Sequence, residues 1–313
     1  MIECFNLTKK FGQFTAVDDL TFTANKGQVL GFLGPNGAGK STTMKMITGF
    51  LQPTSGNVKV CGIDINEDPI TVKSKIGYLP EGAPSYGEME VGQFLNFIAA
   101  MRGVDKNLMK AAVESVIERV SLSNVYYQRI ETLSKGFKRR VGLAQAIIHD
   151  PEVLVMDEPT DGLDPNQKND VRELITNMSE DKTIILSTHI LEEVNAVCDR
   201  AVIIAGGQIV ADNTPSQMEG LSSYHRAVSF VSEVDGELLN ALRNLDCVRD
   251  VDYNARLKEV TVFPTQGIYI FDDISAFLQD RKVQVESLKM ESGRLDEVFM
   301  NITQSVEERE VIK

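Results

Sequence analysis

The sequence predicts an α/β fold for about the first 220 residues and a smaller α+β domain for the rest. From residue 1 to about residue 217, short β-branched runs alternate with longer stretches of helical periodicity. This alternation is typical of a largely parallel sheet with helical connections. A chain of 313 residues accommodates about two domains, and we place them at residues 1–220 and 221–313.

Short apolar runs supply the predicted strands of the first domain. The alternating segment around Leu20 and Phe22 turns at residues 25–27 into the apolar run 29–33, which predicts a hairpin leading into a central strand. Three further runs are short and β-rich, and each precedes a chemically reactive residue. They are residues 153–156, 183–186 and 201–204. We expect buried parallel strands whose carboxyl ends carry the site.

Helical periodicity occupies the segment between Pro84 and Asp150. One apolar stripe contains Phe94, Phe97, Ile98 and Met101, and another contains Val113, Val116, Ile117 and Val120. We therefore predict a helical subdomain at about residues 83–150, inserted between strands of the sheet.

The carboxyl-terminal segment shows a different order of runs. We predict strands at residues 227–231, 248–253, 258–263 and 283–289, and helices at residues 237–245, 271–280 and 295–302. The β-α-β-β-α-β order of its core is that of a ferredoxin-like domain. We see no catalytic constellation in this segment and expect a dimer-stabilising or docking role for it.

Composition and charge exclude several classes of protein. The content of 42% hydrophobic and 25% charged residues is that of an ordinary globular chain. A net charge of −13 opposes bulk attraction to nucleic acid or anionic lipid. No apolar run approaches the roughly 20 residues of a spanning helix, and the amino-terminal residues do not resemble a signal peptide. We expect a soluble chain whose four scattered cysteines are buried hydrophobes in a reducing compartment.

A complete phosphate-binding loop is the strongest local signal. Residues 34–41 read GPNGAGKS, which fits the G-x-x-x-x-G-K-[ST] pattern, and they follow a predicted strand and open an apolar helix. Glycines let backbone N–H groups point at phosphate oxygens, and the helix amino terminus and Lys40 add positive charge. Ser41 is placed to ligate Mg²⁺.

Two acids end the predicted strand at residues 153–156. Asp157 follows the strand directly, where a carboxylate is able to hold the coordination shell of Mg²⁺, and Glu158 comes next, where it is able to polarise a water molecule. Two acids after a strand are more often a solvated strand end. Beside a phosphate-binding loop, the functional interpretation is favoured.

A capped helix begins at residues 133–140, which read LSKGFKRR. Ser134 is a good N-cap, and Gly136 leaves the first turn open to an anion. Without further context this is an ordinary helix start, and the basic run at residues 138–140 is interpreted as a solvated face.

Together these motifs resemble the ATP-binding-cassette (ABC) ATPases. The phosphate loop, the L-S-x-G helix start, Asp157-Glu158, the turn at residues 161–164 and His189 after a strand occur in the order and approximate spacing of that family. The resemblance covers about the first 220 residues and implies a cassette with a mixed sheet and a helical subdomain. The whole chain looks most like single-cassette subunits of drug-export and gliding-type transporters, whose short carboxyl-terminal domain ends in a helix similar to residues 295–299.

The resemblance implies which residues bind ATP and Mg²⁺. Phe11 matches the aromatic residue that stacks on adenine. Lys40 and Ser41 would hold phosphate and Mg²⁺, and Asp157 would lie in the outer shell of the metal. The predicted nucleotide-binding residues of the loop and its helix are Gly34, Pro35, Asn36, Gly37, Ala38, Gly39, Lys40, Ser41 and Thr42.

The resemblance also implies catalytic roles for hydrolysis of ATP to ADP and phosphate. Glu158 would be the general base for water attacking the γ-phosphate. His189 would contact that phosphate and help position the water, and Lys40 would contribute to catalysis by holding the phosphates. His149 and His225 match no motif and are interpreted as surface or helix-end residues.

A partner cassette follows from the same resemblance. Cassettes of this family close head to tail around two nucleotides, so Ser134 and Gly136 would face the ATP of a second, identical chain. Polytopic transmembrane permease subunits would dock near Glu81 and the helical insertion from Pro84 onward. The chain would then lie in the cytoplasm, peripheral on the inner face of the cell membrane, with no direct membrane insertion and no nucleic-acid partner.

Two positions depart from the common family pattern. Glu81 stands where a glutamine is usual; a carboxylate still ligates Mg²⁺, but it adds negative charge and cannot donate as an amide does. The helix start reads L-S-K-G-F where L-S-G-G-Q is commonest, with Ser134 and Gly136 retained. We therefore expect an active enzyme.

The leading hypothesis is the motor subunit of an exporter. The alternatives are a soluble ABC ATPase acting on ribosomes or nucleic acid, an importer motor, and a phosphate-loop kinase outside the family. The ribosome and nucleic-acid class typically carries two cassettes or a long coiled-coil insertion, which this acidic chain lacks. A kinase would not need residues 133–136 or His189. The transported substrate is selected by the permease and is not encoded here.

Overall fold

The computed structural model describes residues 1–83, 85–265 and 268–311, with side chains described up to Thr303. Residues 215–304 separate from residues 1–214 as a compact unit, and each unit is described by itself. The division falls a few residues before the predicted boundary after residue 220, because β-pairing ends at Asn213 and Pro215, which has no N–H to donate, opens a short helix. Pro84 lies outside the described residues.

Two sheets form the first unit. Its strands are β1 (Ile2–Phe11), β2 (Phe14–Ala24), β3 (Gln28–Leu33), β4 (Ser55–Val60), β5 (Ile63–Asp64), β6 (Ile76–Leu79), β7 (Val153–Asp157), β8 (Thr183–Thr188), β9 (Arg200–Ala205) and β10 (Gln208–Asn213). One sheet has the order β2-β1-β4-β5 and is antiparallel; the other has the order β10-β9-β3-β8-β7-β6 and is parallel except for β10. The mixed α/β cassette predicted from the sequence is confirmed.

The helices of the first unit are α1 (Lys40–Ile47), α2 (Pro69–Lys75), α3 (Val91–Met101), α4 (Met109–Arg119), α5 (Lys135–Ile147), α6 (Pro165–Ser179) and α7 (Leu191–Val197), with short 3₁₀ turns at Ser123–Val125 and Ile130–Thr132. Helices α3, α4 and α5 lie between β6 and β7, within the range 83–150 that was predicted as a helical subdomain. Phe94 is buried, whereas Phe97 and Met101 of the same apolar stripe are exposed.

The predicted hairpin between β2 and β3 is wrong. β2 pairs with β1, whereas β3 pairs with β8 and β9 in the other sheet. The two strands differ in burial. Side chains on both faces of β3 are buried, which is typical of a central strand in a sheet covered on both faces, whereas buried and exposed side chains alternate along much of β2. The hairpin that exists joins β1 to β2 at residues 12–13, with Phe11 opposite Phe14.

The core of the first unit lies where both sheets meet α1. Leu7 of β1, Met44 of α1 and Val155 of β7 are fully buried in one cluster. Phe22 of β2 and Phe32 of β3 pack edge to face across it, with ring centroids 4.8 Å apart. The antiparallel sheet is thereby held against the strand that precedes the phosphate loop.

The second unit is an antiparallel sheet with helices. Its elements are α8 (Pro215–Glu219), β11 (Val228–Val231), α9 (Gly236–Arg243), β12 (Val248–Asn254), β13 (Glu259–Pro264), α10 (Phe271–Asp280), β14 (Ser287–Met290) and the part of α11 (Leu295–Val311) up to residue 304. The strand order β12-β13-β11-β14, with every pair antiparallel, is the ferredoxin-like arrangement. β14 begins four residues later than predicted, because Val283 N bonds to Leu278 O at the end of α10.

The prediction of four buried cysteines holds for Cys4 and Cys198, whereas Cys61 and Cys247 are only partly buried. All four are free thiols, and Cys4 and Cys198 are buried, which raises the pKa of both thiols. Among the described residues, no helix is both long and apolar enough to cross a membrane.

Candidate functional site

The phosphate loop connects the end of β3 to the start of α1. Gly37 and Gly39 have φ values of 84° and 104°, a region that L side chains rarely adopt. A Cβ on Gly39 would lie 2.5 Å from the carbonyl oxygen of Ala16, and one on Gly34 would lie 2.4 Å from that of Ile204. The glycines are therefore required by backbone conformation and by close approach, as the motif predicted.

Lys40 lies inside this loop. Its Nζ donates hydrogen bonds to the carbonyl oxygens of Gly34, at 2.7 Å, and Pro35, at 3.1 Å. Burial lowers the pKa of Lys40, and the negative charges of Glu158, Asp157 and Glu81 act against this shift. The ammonium is thus the cation on which the carboxylates of the site converge.

Asp157 ends β7 and is only 1% exposed. Its Oδ1 accepts a hydrogen bond from Ser187 of the neighbouring strand β8, while its buried Oδ2 has no hydrogen-bond partner among the described residues. An unpaired buried carboxylate oxygen is costly unless a cation is bound beside it. Together with the Ser41 hydroxyl and the Glu81 carboxylate, it supplies the oxygen ligands that Mg²⁺ prefers.

The described residues contain no cluster of three or more His, Cys, Asp or Glu side chains that could hold a metal ion. Mg²⁺ is commonly held by one or two carboxylates together with substrate phosphates, and Asp157 with its unpaired Oδ2 and Glu81 are carboxylates of this kind. The residues present therefore fit ATP and Mg²⁺ bound together.

Glu158 adopts a left-handed backbone conformation with φ 53°. Its N–H donates to the carbonyl oxygen and to the hydroxyl of Ser187, at 3.1 and 3.2 Å. Its Oε2 lies 2.9 Å from His189 Nδ1, which joins the two residues predicted to act on the attacking water. A strained backbone at such a residue persists because neighbouring groups hold it in place.

Glu193 of α7 is a buried carboxyl that sequence reasoning missed. Its Oε1 accepts from the Thr160 hydroxyl, and its Oε2 accepts from the Thr188 hydroxyl at 2.7 Å. It therefore joins the segment after Glu158 to the residue before His189. Burial raises the pKa of Glu193. No signal in the sequence marks it, because it is the second of two acids in the first turn of α7, where acidic residues are common.

An open pocket of about 430 Å³ surrounds these groups. It is lined by Phe11, Phe14, Ala16, Asn36, Gly37, Gly39, Lys40, Ser41, Thr42, Glu81 and Glu158. Phe14 was missed, although it lies opposite Phe11 across the β1–β2 turn. Seven of the predicted residues do not line the pocket, and these are Gly34, Pro35, Ala38, Asp157, His189, Ser134 and Gly136. The carbonyl oxygen of Gly34 accepts a hydrogen bond from Lys40.

Ser134 and Gly136, at the start of α5, do not line this pocket. The exposed Ser134 caps α5 by accepting a hydrogen bond from Phe137 N at 3.4 Å. Gly136 is buried against the segment that follows Glu158, because a Cβ there would lie 2.4 Å from Gln167 Oε1 and 3.3 Å from Leu163 Cδ2. The glycine thus permits a close approach within the chain.

The prediction of a solvated basic face at residues 138–140 is wrong for two of the three side chains. Arg139 and Arg140 are 6% and 9% exposed. Arg140 pairs with Asp170 at 2.9 Å, and Arg139 bonds to backbone carbonyls at the ends of β6 and β7. A charge run does not reveal such carbonyl partners, which come from distant segments.

The two histidines outside the motifs are in structural positions. His149 lies just beyond α5 and its Nε2 is 3.2 Å from the Ile76 carbonyl oxygen; burial lowers its pKa to about 4. His225 Nδ1 is 3.1 Å from the Ser292 carbonyl oxygen. Neither contacts the pocket described above.

Known proteins are similar to this chain in sequence and in fold. A family profile described as ABC transporter matches residues 17–161. The chain is 33% identical over 308 residues to the linearmycin resistance ATP-binding protein LnrL of Bacillus subtilis (strain 168), covering 97% of this chain and 98% of that protein. It is 34% identical over 240 residues to the Nod factor export ATP-binding protein I of Ralstonia nicotianae, covering 76% of this chain and 74% of that protein.

Among solved structures, an ATP-binding subunit of an ABC transporter superposes with a TM-score of 0.66 and 28% sequence identity, covering 70% of this chain and 92% of that chain. The similarity to the linearmycin resistance protein extends beyond the first unit, because it covers nearly the whole of both chains.

Proposed function

Because this chain belongs to the ABC transporter family, as an ATP-binding subunit that hydrolyses ATP with Mg²⁺, we propose that it powers export through separate membrane-spanning subunits. The observation that carries the proposal is the similarity to a resistance protein across 98% of that protein's length, which takes in the second unit as well as the cassette. The similarity to a Nod factor export protein supports the same direction of transport.

In the proposed reaction, the loop at residues 34–39 and Lys40 bind the phosphates of ATP, and Phe11 stacks on the adenine. Ser41, Asp157 and Glu81 are the proposed ligands or outer-shell partners of Mg²⁺. When bound, Mg²⁺ neutralises negative charge on the β- and γ-phosphate oxygens.

Glu158 accepts the proton of the attacking water in this proposal. Its hydrogen bond with His189 orients both side chains, and the exposed side of the His189 ring is free to reach the γ-phosphate. The backbone of Glu158 is held by Ser187, so the carboxylate is positioned before the nucleotide arrives. The two residues predicted from the sequence to act on the water, Glu158 and His189, are thus joined by a hydrogen bond, and Ser187 holds the backbone of Glu158.

A head-to-tail dimer of identical chains is the proposed working form. Ser134 is exposed and neither it nor Gly136 lines the chain's own pocket. A helix start capped by an exposed serine is able to bind an anion, and the resemblance to cassettes that close head to tail implies that the anion is the ATP of the opposite chain. Gly136 itself is packed against Gln167 and Leu163 of its own chain. Each active site would therefore be completed by the other chain.

The permease is proposed to dock on the helical subdomain. A groove of about 430 Å³ is lined by Ser85, Tyr86, Phe94, Phe97, Ile98, Met101 and Gln145. Tyr86 is 60% exposed and Met101 is 70% exposed, so the groove presents apolar surface to a partner. A short amphipathic helix of a membrane subunit fits this chemistry, and it would hold the chain in the cytoplasm against the membrane.

Growth and accumulation assays test the direction of transport. A strain lacking the gene is complemented with wild type or with Glu158→Gln, and growth in linearmycin and retention of ethidium are measured. We expect the deletion and the Glu158→Gln strain to be more sensitive, or to retain more ethidium, than wild type. Unchanged resistance and retention, together with reduced uptake of a nutrient, would instead identify an importer.

Light scattering tests the dimer. Glu158→Gln slows hydrolysis and should accumulate as a dimer with ATP and Mg²⁺, because the nucleotide that joins the two chains is not consumed. The double variant with Ser134→Arg is the matched control and should stay monomeric. A Glu158→Gln protein that remains monomeric with ATP and Mg²⁺ would contradict the sandwich arrangement.

A further inference from the structure

Arg139 joins the helix that begins at Ser134 to the catalytic end of the parallel sheet. The side chain projects from α5 and is 6% exposed. Its hydrogen bonds within the described part of the chain all go to main-chain carbonyl oxygens. The acceptors are the carbonyl oxygens of Pro80 at 2.9 Å, Pro159 at 3.3 Å, Asp157 and Glu158.

These acceptors lie at the carboxyl ends of two neighbouring parallel strands. Pro80 follows β6 and directly precedes Glu81, while Asp157 ends β7 and is followed by Glu158 and Pro159. A planar guanidinium with donors on three nitrogens is able to hold carbonyls on both strands at once, which a lysine ammonium on a flexible stem does less well. Arg139 therefore fixes the backbone at the two strand ends that carry carboxylates of the site.

The buried guanidinium of Arg139 needs compensating interactions. A buried charge without a hydrogen-bonded counter-ion is expensive. Burial lowers the pKa of Arg139, and the nearby carboxylates of Asp157, Asp161 and Glu158 act against that shift. The guanidinium is thus stabilised by the field of the catalytic acids, while its hydrogen bonds go to their backbone.

Glu158 needs such support. Its left-handed backbone, with φ 53°, is one that a residue with a side chain seldom adopts. Ser187 accepts a hydrogen bond from its N–H, and its carbonyl oxygen accepts one from Arg139 and one from the Asp161 N–H at 3.2 Å, so both polar groups of its main chain are held. Loss of Arg139 would leave the carbonyl oxygen with the local Asp161 N–H as its donor and without a tie to α5.

The same helix carries the residues proposed to meet the partner's nucleotide. Gly136 lies three residues before Arg139, within one turn of α5, and is packed against Gln167 and Leu163. The helix start and the side chain that reaches the strand ends therefore belong to the same turn of one helix. Within one chain, α5 thus connects the residues proposed to contact the partner's ATP with the strand ends that carry Glu81 and Glu158 of the chain's own site.

We propose that Arg139 is a positioning residue that couples contact between α5 and the partner chain's ATP to the placement of Glu158 and Glu81 in its own site. The proposal rests on the head-to-tail dimer proposed above. It assigns Arg139 no contact with nucleotide.

The first experiment compares Arg139→Lys and Arg139→Gln with Arg140→Gln, using the full chain. Arg140 is the matched control because it is the next residue of the same helix and equally buried, but its partners are Asp170 and Val120. We measure kcat, KM, affinity for a fluorescent ATP analogue and the thermal midpoint Tm. We expect kcat of the Arg139 variants to fall about 10- to 100-fold, as when other groups that orient catalytic residues are lost, with nucleotide affinity nearly unchanged.

A purely structural role would lower Tm and kcat together and equally at both positions. If Arg139→Lys restores kcat, or if the Arg139 and Arg140 variants lose activity in parallel with Tm, the proposal is overturned. A selective loss of kcat at Arg139 supports it, because KM and Tm report binding and folding separately from the chemical step.

The second experiment uses mixed dimers in which Glu158→Gln leaves one competent active site. In the first pair, Arg139→Gln is in the chain that keeps Glu158; in the second pair, it is in the chain that carries Glu158→Gln. We expect the first pair to lose activity and the second to retain more of it. Equal loss in both pairs, or loss only in the second, would contradict positioning of Glu158 within the same chain.

A reference pair of wild type and Glu158→Gln separates this outcome from failure of the dimer itself. If no mixed dimer forms on light scattering, the head-to-tail arrangement and the coupling to a partner are both overturned. The comparison of kcat in the first experiment then still decides whether Arg139 positions Glu158.

Discussion

The two units of this chain use their sheets in opposite ways. In the first, β3, β7 and β8 run parallel, so the loop after Leu33, the acids after Met156 and the histidine after Thr188 reach the same edge. In the second, every pair of neighbouring strands is antiparallel, so the carboxyl ends of two neighbouring strands lie at opposite edges of the sheet. Strand direction therefore decides whether polar residues from distant segments can converge.

Cavity volume does not indicate which of the two units contains the nucleotide-binding site. The second unit has the larger opening, about 1010 Å³, lined by charged residues such as Glu233, Glu286 and Lys258. Its cation Lys258 pairs with Glu233 at an exposed position. The smaller pocket of the first unit is lined by the buried Lys40, by Glu158, which directly follows the buried strand-end residue Asp157, and by glycine backbone with positive φ. Buried charge and backbone geometry locate the chemistry where volume does not.

The largest expected loss follows Glu158→Gln. An amide cannot accept the proton of the attacking water, so kcat should fall about 10²- to 10⁴-fold while ATP still binds. Phosphate release under saturating ATP and Mg²⁺ measures the change. Glu286→Gln, in the larger cavity of the second unit, is the matched control and should leave kcat unaltered; a comparable loss there would place catalytic chemistry in both units.

Truncating a core aromatic separates the units by stability. Phe230 is fully buried among apolar residues of the second unit, so Phe230→Ala should cost about 3–5 kcal/mol of unfolding free energy. Because its contacts belong to a separate compact unit, ATP affinity should persist. Calorimetry with and without ATP measures both effects. Phe32→Ala, in the core below the phosphate loop, is the counterpart and should weaken ATP binding; similar results for both variants would show that the units do not differ in this way.

The adenine contact is expected to contribute less. Phe11→Ala should weaken ATP binding by about 1–3 kcal/mol, the range for one base stacked on an aromatic ring. Phe11 is 50% exposed and Phe14 is 62% exposed, so we expect Phe14→Ala to cost less. Titration of a fluorescent ATP analogue checks this order. A greater loss at Phe14 would move the adenine to the other side of the β1–β2 turn.

Glu193 should give the first unit a distinct dependence of stability on pH. Burial raises its pKa in the folded state, so the stability it contributes is complete below the unfolded pKa, about 4.3, and is lost as pH rises through the folded pKa. Glu193→Gln removes this loss, and its stability relative to wild type should therefore increase with pH. Urea unfolding at several pH values measures it, with the exposed neighbour Glu192→Gln as control. A difference that is independent of pH would contradict the assignment.

The smallest effect is expected at the surface of the second unit. Lys258→Ala removes an exposed ion pair with Glu233, and such pairs contribute little to stability. The thermal midpoint and kcat should both match wild type. A clear drop in ATPase activity would give the larger cavity a role that its exposed, mutually paired charges do not predict.

Local motifs were predictable because neighbouring residues determine them. The glycines at 34, 37 and 39 are required by their own backbone angles and contacts, and the strand-loop-helix context predicted them. The ferredoxin-like order of the second unit also followed from the sequence of its runs. The hairpin between β2 and β3 was wrong because a turn signal does not reveal which sheet each strand joins.

The remaining site residues depend on partners far along the chain. Arg139 bonds to Pro80, 59 residues away, and Glu193 to Thr160, 33 residues away. Phe14 becomes part of the pocket because the β1–β2 turn brings it opposite Phe11. None of these contacts has a periodic or motif signal, since each side chain is an ordinary member of its own segment.

For this protein, the order of residues alone was enough for the fold class, the phosphate loop, the paired acids and the likeness to ABC ATPases, because those features are encoded over a few neighbouring positions. The tertiary structure decided which charges are buried, that Glu158 meets His189, and that Arg139 holds the ends of β6 and β7. The physical reason is that burial and hydrogen bonding between distant segments arise only when the parallel strands align and their ends share one edge.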